Sequence, residues 1–150
     1  MNISQQGIEF IKQFEGVRKN AYKCSGGYWT IGVGHLITRN HVLPDEWKRT
    51  LSPGEIDELF ISDISRFVRT VQRLLPMPFK QHQLDSLVSF TYNLGGAVLE
   101  RSTVRSALLR GDKALAMRTL LRYCRAGGKI VKGLQRRRQA EVALFNGRYL

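Results

Sequence analysis

Residues 52–78 read SPGEIDELFISDISRFVRTVQRLLPMP, and this stretch decides the architecture. Ser52-Pro53-Gly54-Glu55 has the form of a helix start, with Ser52 as N-cap, Pro53 at the first helical position and Glu55 placed to complete a capping box. Behind it Ile56, Leu59, Phe60, Ile64, Phe67, Val68, Val71, Leu74 and Leu75 recur at helical spacing until Pro76 and Pro78 stop the pattern. A helix over residues 53–75 is about 34 Å long, enough to run between two lobes. On its N-terminal side the period changes. Ser4 is a plausible N-cap for a short helix with Ile8, Ile11 and Phe14 on one face, closed by Gly16. From Ala21 to about Thr38 the strand formers Tyr22, Tyr28, Trp29, Thr30, Ile31 and Val33 alternate with Ser25-Gly26-Gly27, Gly32 and Gly34, which predicts a small antiparallel sheet with tight turns. On the C-terminal side the chain reads as helical throughout. Segments are predicted over residues 80–92, closing at Gly95-Gly96, then 102–111 and 112–123. After an Ala126-Gly127-Gly128 loop, a last helix covers residues 134–146, with Gly147 as its stop. The expected fold class is therefore α+β and mostly helical. A single bilobed domain over residues 1–150 is expected, with a small sheet-bearing lobe at about 12–52, a connecting helix at about 53–75, and a helical lobe at about 76–150 that includes the N-terminal helix.

The charge is uneven. Twenty-four Lys+Arg face twelve Asp+Glu, a net of +12. Residues 1–100 hold eleven basic and ten acidic side chains, whereas residues 101–150 hold thirteen basic and two acidic ones, Asp112 and Glu141. A basic C-terminal half implies an anionic partner, such as nucleic acid, an acidic membrane face or an anionic envelope polymer. No run approaches the roughly 20 apolar residues of a membrane span. Glu9, Lys12 and Glu15 interrupt any signal-peptide core at the N-terminus, so a cytoplasmic origin is expected. His35, His41, His82, Cys24 and Cys124 have no metal-ligand spacing, so neither a metal nor a cofactor is expected. Cys24 and Cys124 are a hundred residues apart. In a reducing compartment both are expected as thiols, the alternative being a Cys24–Cys124 disulfide.

Glu15 ends the apolar face of the first predicted helix. A carboxylate beside Phe14 there loses solvation and suits a general acid; the alternative is a solvated helix-end glutamate. The blocks Phe14-Glu15-Gly16-x-Arg18-x-x-Ala21-Tyr22 and Thr30-Ile31-Gly32-x-Gly34-His35 settle the context. With Gln83-Leu84-Asp85-Ser86-Leu87-Val88-Ser89-Phe90, Tyr92-Asn93-Leu94-Gly95 and Gly133-Leu134-x-x-Arg137-Arg138-x-x-Glu141, they closely resemble the phage-type lysozymes, the endolysins of glycoside hydrolase family 24. The resemblance runs through nearly the whole chain, in order.

That resemblance implies a lysozyme-like fold. It also implies hydrolysis, with inversion, of the β-1,4 bond between N-acetylmuramic acid and N-acetylglucosamine in peptidoglycan, leading to host cell lysis. The family's motif is a catalytic Glu, an acidic residue nine positions later and a Thr six positions after that. Carried over, Glu15 is the general acid and Thr30 holds the attacking water, while the acidic position falls on Cys24, a departure that some members share. As a thiolate Cys24 would stabilise developing positive charge or activate water, with a basic surround lowering its pKa. As a thiol it would only shape the pocket, and as a turn residue it would do neither. The family pairs His35 with an acid on the connecting helix, which is Asp63 here, and the pair reads as structural. Arg137 matches an arginine that faces the catalytic Glu, the alternative being one more solvated charge in Arg136-Arg137-Arg138. Leu36, Tyr92 and Ser102 match cleft-lining positions, although a core role fits Leu36 and a helix cap fits Ser102. Tyr123 stands where the family often has Trp.

The expected partners are peptidoglycan and, through the basic C-terminal lobe, the anionic bacterial envelope, with no nucleic acid as primary partner. The chain is expected to act as a monomer and to stay in the host cytoplasm until a holin releases it to the wall. Two other readings compete. A lytic transglycosylase would cleave the same bond with Glu15 alone. A cationic envelope- or membrane-disrupting protein would work through Arg118, Arg122, Arg125 and Arg136 to Arg138 without turnover.

Overall fold

The computed structural model describes residues 1–148, so the last two residues of the expected 76–150 lobe lie outside it. Seven α-helices carry most of the described chain: α1 (Gln5–Glu15), α2 (Pro53–Leu74), α3 (Gln81–Leu94), α4 (Gly96–Arg101), α5 (Thr103–Leu109), α6 (Lys113–Leu120) and α7 (Lys132–Phe145). Strands β1 (Arg18–Lys23), β2 (Trp29–Gly32) and β3 (His35–Thr38) form an antiparallel sheet in the order β1-β2-β3, and β4 (Arg125–Ala126) pairs with β5 (Lys129–Ile130) in a separate hairpin. The fold class is α+β and mostly helical, as the hydrophobic periods predict. The chain divides into two compact units, residues 8–65 and residues 1–7 with 66–148, and the divisions fall inside α1 and α2.

In the first of these units, Ile11, Ile31, Val33, Leu51, Ile56, Phe60 and Ile64 are buried. The α2 start behaves as its sequence dictates. Glu55 N donates to Ser52 Oγ and Ser52 N donates to Glu55 Oε1, both at 3.1 Å, closing the capping box. Arg49 clamps the same carboxylate, which it holds down at about 2 with help from the Ser52 amide. β1 begins at Arg18, three residues before the expected Ala21. Arg18-Lys19-Asn20 has no strand preference of its own; pairing with β2 makes it extended. Five residues of β1, Arg18 to Tyr22, lie opposite three of β2, Gly32 to Thr30, and the resulting bulge bends the strand.

In the other unit α3 and α7 pack together around Leu84, Leu87, Val88, Leu144 and Phe145, all buried. The N-terminus is latched here, since Ser4 donates its hydroxyl to the buried Asp85 carboxylate and its amide to Asp85 Oδ1 at 3.0 Å. Gly95-Gly96 does not simply end a helix. Gly95 (φ +98) breaks the chain, but Gly96 opens α4, where a Cβ would lie 2.9 Å from Thr70 Cγ2, so only glycine fits this approach. α6 ends at Leu120, earlier than expected, and the Ala126-Gly127-Gly128 loop is the tip of the β4–β5 hairpin.

Candidate functional site

The β1–β2 connection organises the site. Cys24 follows the last residue of β1, its amide donates to Tyr28 O (2.9 Å), and its carbonyl accepts from Gly27 N (2.8 Å). Gly27, at φ +82, supplies the left-handed position that closes a three-residue hairpin loop. This turn points the backbone amides of Tyr28 and Gly26 at the Cys24 sulfur, and the Thr30 hydroxyl adds a third donor. Together these donors hold the thiol below its ordinary pKa, the Tyr28 amide contributing most. The expectation of a lowered thiol pKa holds, but its cause is corrected. Backbone dipoles and one hydroxyl produce it, rather than a surround of cations.

Thr30 and Cys24 are thus brought together on one hairpin. Thr30 is 5% exposed, and its hydroxyl donates to Tyr28 O at 3.1 Å. With one proton, that hydroxyl donates either to the carbonyl or to the sulfur, while its lone pairs remain able to accept from water. Across the sheet Thr30 pairs with Tyr22 on one side and Leu36 on the other, so the three side chains share one face. Leu36 is 41% exposed, which removes its alternative as a core residue and leaves an apolar surface beside Thr30.

Glu15 is the last residue of α1, followed by Gly16 (φ +74), whose amide closes the helix on Lys12 O at 3.0 Å. The expected loss of solvation beside Phe14 does not occur. Glu15 is exposed, and the Phe14 ring packs on Phe10 at 5.2 Å. His35 Nδ1 lies 2.7 Å from Asp63 Oδ2, and the His35 ring packs on Trp47 at 5.6 Å. This pair ties β3 to α2 within residues 8–65.

The remaining candidates belong to residues 66–148. Tyr92 packs edge-on against Phe67, with centroids 5.1 Å apart. Ser102 caps α5: its Oγ accepts from Arg105 N (3.1 Å) and donates to Leu99 O (2.8 Å). Tyr123 meets Phe90 edge-on at 5.2 Å. The reading of Arg137 as a solvated charge is overturned, because Arg137 is 3% and Arg138 0% exposed. Glu141, itself 0% exposed, takes Arg137 Nε (3.3 Å), Arg138 Nε (2.8 Å) and Ser89 Oγ (2.6 Å). Arg138 also donates to Asn93 Oδ1 at 2.7 Å. These two arginines are therefore withdrawn from the cationic surface expected for residues 136–138. The backbone donors to Cys24 from Tyr28 and Gly26, and the partners Ser89 and Asn93, were not singled out from the sequence. The Gly-Gly turn signals the first, and the i+3 and i+4 spacing of Glu141 from Arg138 and Arg137 signals the burial.

Both cysteines are free thiols. Among the described residues no group of three or more His, Cys, Asp or Glu is placed to hold a metal, and no helix is long and apolar enough to cross a membrane.

A small three-stranded antiparallel sheet within a mostly helical chain is the lysozyme-like fold. A solved structure of a phage P22 lysozyme variant matches it with a TM-score of 0.85 and 32% identity, covering 97% of this chain and 99% of that one. Residues 12–141 match the phage lysozyme family, and the chain belongs to it. The endolysin of Bacillus phage B103 is 40% identical over 147 residues, which is 97% of this chain and 54% of that protein. The endolysin of Acyrthosiphon pisum secondary endosymbiont phage 1 is 33% identical over 149 residues, 97% of this chain and 98% of that protein. The chain thus spans about half the length of the first of these relatives.

Proposed function

We propose that the chain is an endolysin-type muramidase, hydrolysing the β-1,4 bond between N-acetylmuramic acid and N-acetylglucosamine in peptidoglycan and so lysing the host cell. The observation that carries this reading is the hairpin that sets the Thr30 hydroxyl against an amide-cradled Cys24 sulfur, in a chain of the phage lysozyme family. Glu15 gives its proton to the glycosidic oxygen as the bond to C1 breaks. A water that donates a hydrogen bond to Thr30 Oγ1 attacks C1 from the opposite face and inverts it. The proton lost by that water passes to the Cys24 thiolate, and proton exchange with solvent resets both groups for the next turnover. Such a pair of proton-handling groups on opposite faces of the sugar is what inversion requires, and it needs no cofactor.

Leu36 lies beside Thr30 on the sheet and supplies an apolar wall for the sugar. His35 and Asp63 support the sheet, and Arg137, held by Glu141 and Ser89, supports the packing of α7 on α3. The monomer stays in the host cytoplasm until a holin opens the way to the wall. Arg118, Arg122, Arg125 and Arg136, all exposed, draw it to the anionic envelope, an attraction that weakens as salt shortens the screening length. Replacing Glu15 by Gln tests the reading. Clearance of purified murein should fall by about 10²–10⁴-fold while envelope binding persists. Full clearance by the variant overturns the assignment and favours a cationic protein acting without turnover.

A further inference from the structure

The β4–β5 hairpin is exposed on both faces. Every residue from Arg125 to Gly133 is exposed, including the β-branched Ile130 at 51% and Val131 at 37%. A two-stranded ribbon with neither face covered is marginal in water, and burying apolar side chains against a partner is what normally secures one. Here the hairpin is held from within the chain instead, where Val131 N donates to Cys124 O at 2.8 Å at the base and the Arg125 side chain reaches the Gly128 carbonyl at 3.2 Å near the turn. Gly127 and Gly128, at φ +58 and +79, make a bare tip.

The composition around this ribbon is one-sided. From Lys113 to Ala140 the sequence has no acidic residue, and Arg122, Arg125, Lys129 and Lys132 lie in or next to the hairpin. Arg125 is paired with Ile130 across the strands, and Ala126 with Lys129, so each face of the ribbon carries both a cation and apolar surface. A soluble anion or polysaccharide would use the charges and leave Ile130 and Val131 in water. A surface with phosphate headgroups over an acyl layer satisfies both kinds of side chain.

We propose that the hairpin Cys124–Lys132 is a docking element for an anionic lipid bilayer, with Ile130 and Val131 entering the headgroup–acyl boundary and Arg125, Lys129 and Lys132 pairing with lipid phosphates. The inference refines the envelope contact proposed above. It does not depend on hydrolysis.

The test is sedimentation with vesicles of phosphatidylcholine alone or with one-quarter phosphatidylglycerol, which contain no peptidoglycan. The full chain should bind only the anionic vesicles. Each Lys or Arg near such a surface adds about a fivefold factor, so Lys129→Gln with Lys132→Gln should weaken binding about 20- to 30-fold. Ile130→Ser with Val131→Ser keeps every charge and should weaken it roughly 10- to 30-fold. Thermal unfolding checks that both variants remain folded. Failure of the full chain to bind anionic vesicles overturns the proposal. So does an Ile130/Val131 variant that binds like the parent, which would mean diffuse charge attraction. Equal affinity for soluble polyphosphate also overturns it, by identifying a polyanion site. Murein clearance by the same variants reports separately on the proposed muramidase activity.

Discussion

Replacing Glu141 by Ala is the sharpest structural perturbation available. Glu141 is fully buried and accepts from Ser89 Oγ at 2.6 Å, Arg138 Nη2 at 3.2 Å and Arg137 Nε at 3.3 Å, with Arg138 Nε in ion-pair contact at 2.8 Å. Burial pushes its carboxyl up, while Arg138, Ser89 and Arg137 pull it down. Truncation leaves two guanidinium groups buried without their carboxylate. Removing one member of a buried pair costs about 3–5 kcal/mol. Both arginines retain neutral acceptors, Arg137 the Ser89 carbonyl at 3.2 Å and hydroxyl at 3.3 Å and Arg138 the Asn93 amide oxygen at 2.7 Å, which points to the middle of that range, about 4 kcal/mol. For a chain of 150 residues this lowers the unfolding midpoint by roughly 8–16 °C. Glu141→Gln keeps the shape and the Ser89 contact and should cost about half as much. Scanning calorimetry of the three proteins reads both shifts. A Glu141→Ala loss below about 1 kcal/mol would refute the argument that this carboxylate neutralises two buried cations.

Three further outcomes follow from the site. In a Cys124→Ala background, alkylation of Cys24 should titrate with a midpoint below the ordinary thiol value near 8.5, and Thr30→Val should raise it. Because the folded pKa is depressed, the thiolate is present above that midpoint, and hydrolysis should fall as pH drops through it. An unshifted midpoint, or the same pH limb in Cys24→Ser, contradicts the role given to the sulfur. Gly96→Ala should destabilise by roughly 1–3 kcal/mol, since its Cβ meets Thr70 Cγ2 at 2.9 Å, and Thr70→Ser should restore most of that loss; chemical denaturation reads both. Asp63→Ala should cost about 1 kcal/mol and leave the murein rate nearly unchanged. A collapse of that rate would move His35 from support into the chemistry.

The parts of the fold that were legible are those whose signal is local. The Ser52–Glu55 box, the apolar period behind it and the Gly-Gly turn before Tyr28 each act through residues close in sequence, and α2 ends one residue before its predicted limit. Features set by distant partners were hidden. Arg18-Lys19-Asn20 becomes a strand only because β2 is there to pair with it, and α4 is masked by a Gly-Gly pair that ordinarily ends a helix. Arg137 and Arg138 sit in a run that reads as solvated until Glu141 is seen buried between them. At the candidate site, resemblance supplied Glu15, Cys24 and Thr30. The cradle of backbone amides that lowers the Cys24 pKa is a property of the folded turn, and side-chain identity alone could not name its donors.

The reaction proposed for this chain is cleavage of murein by addition of water. Digestion of purified peptidoglycan in oxygen-18 water, followed by mass spectrometry of the fragments, tests it directly. Hydrolysis leaves a reducing muramic acid end carrying the heavy oxygen. An unlabelled 1,6-anhydro end would contradict it, because the sugar's own hydroxyl would then have replaced the water assigned to Thr30.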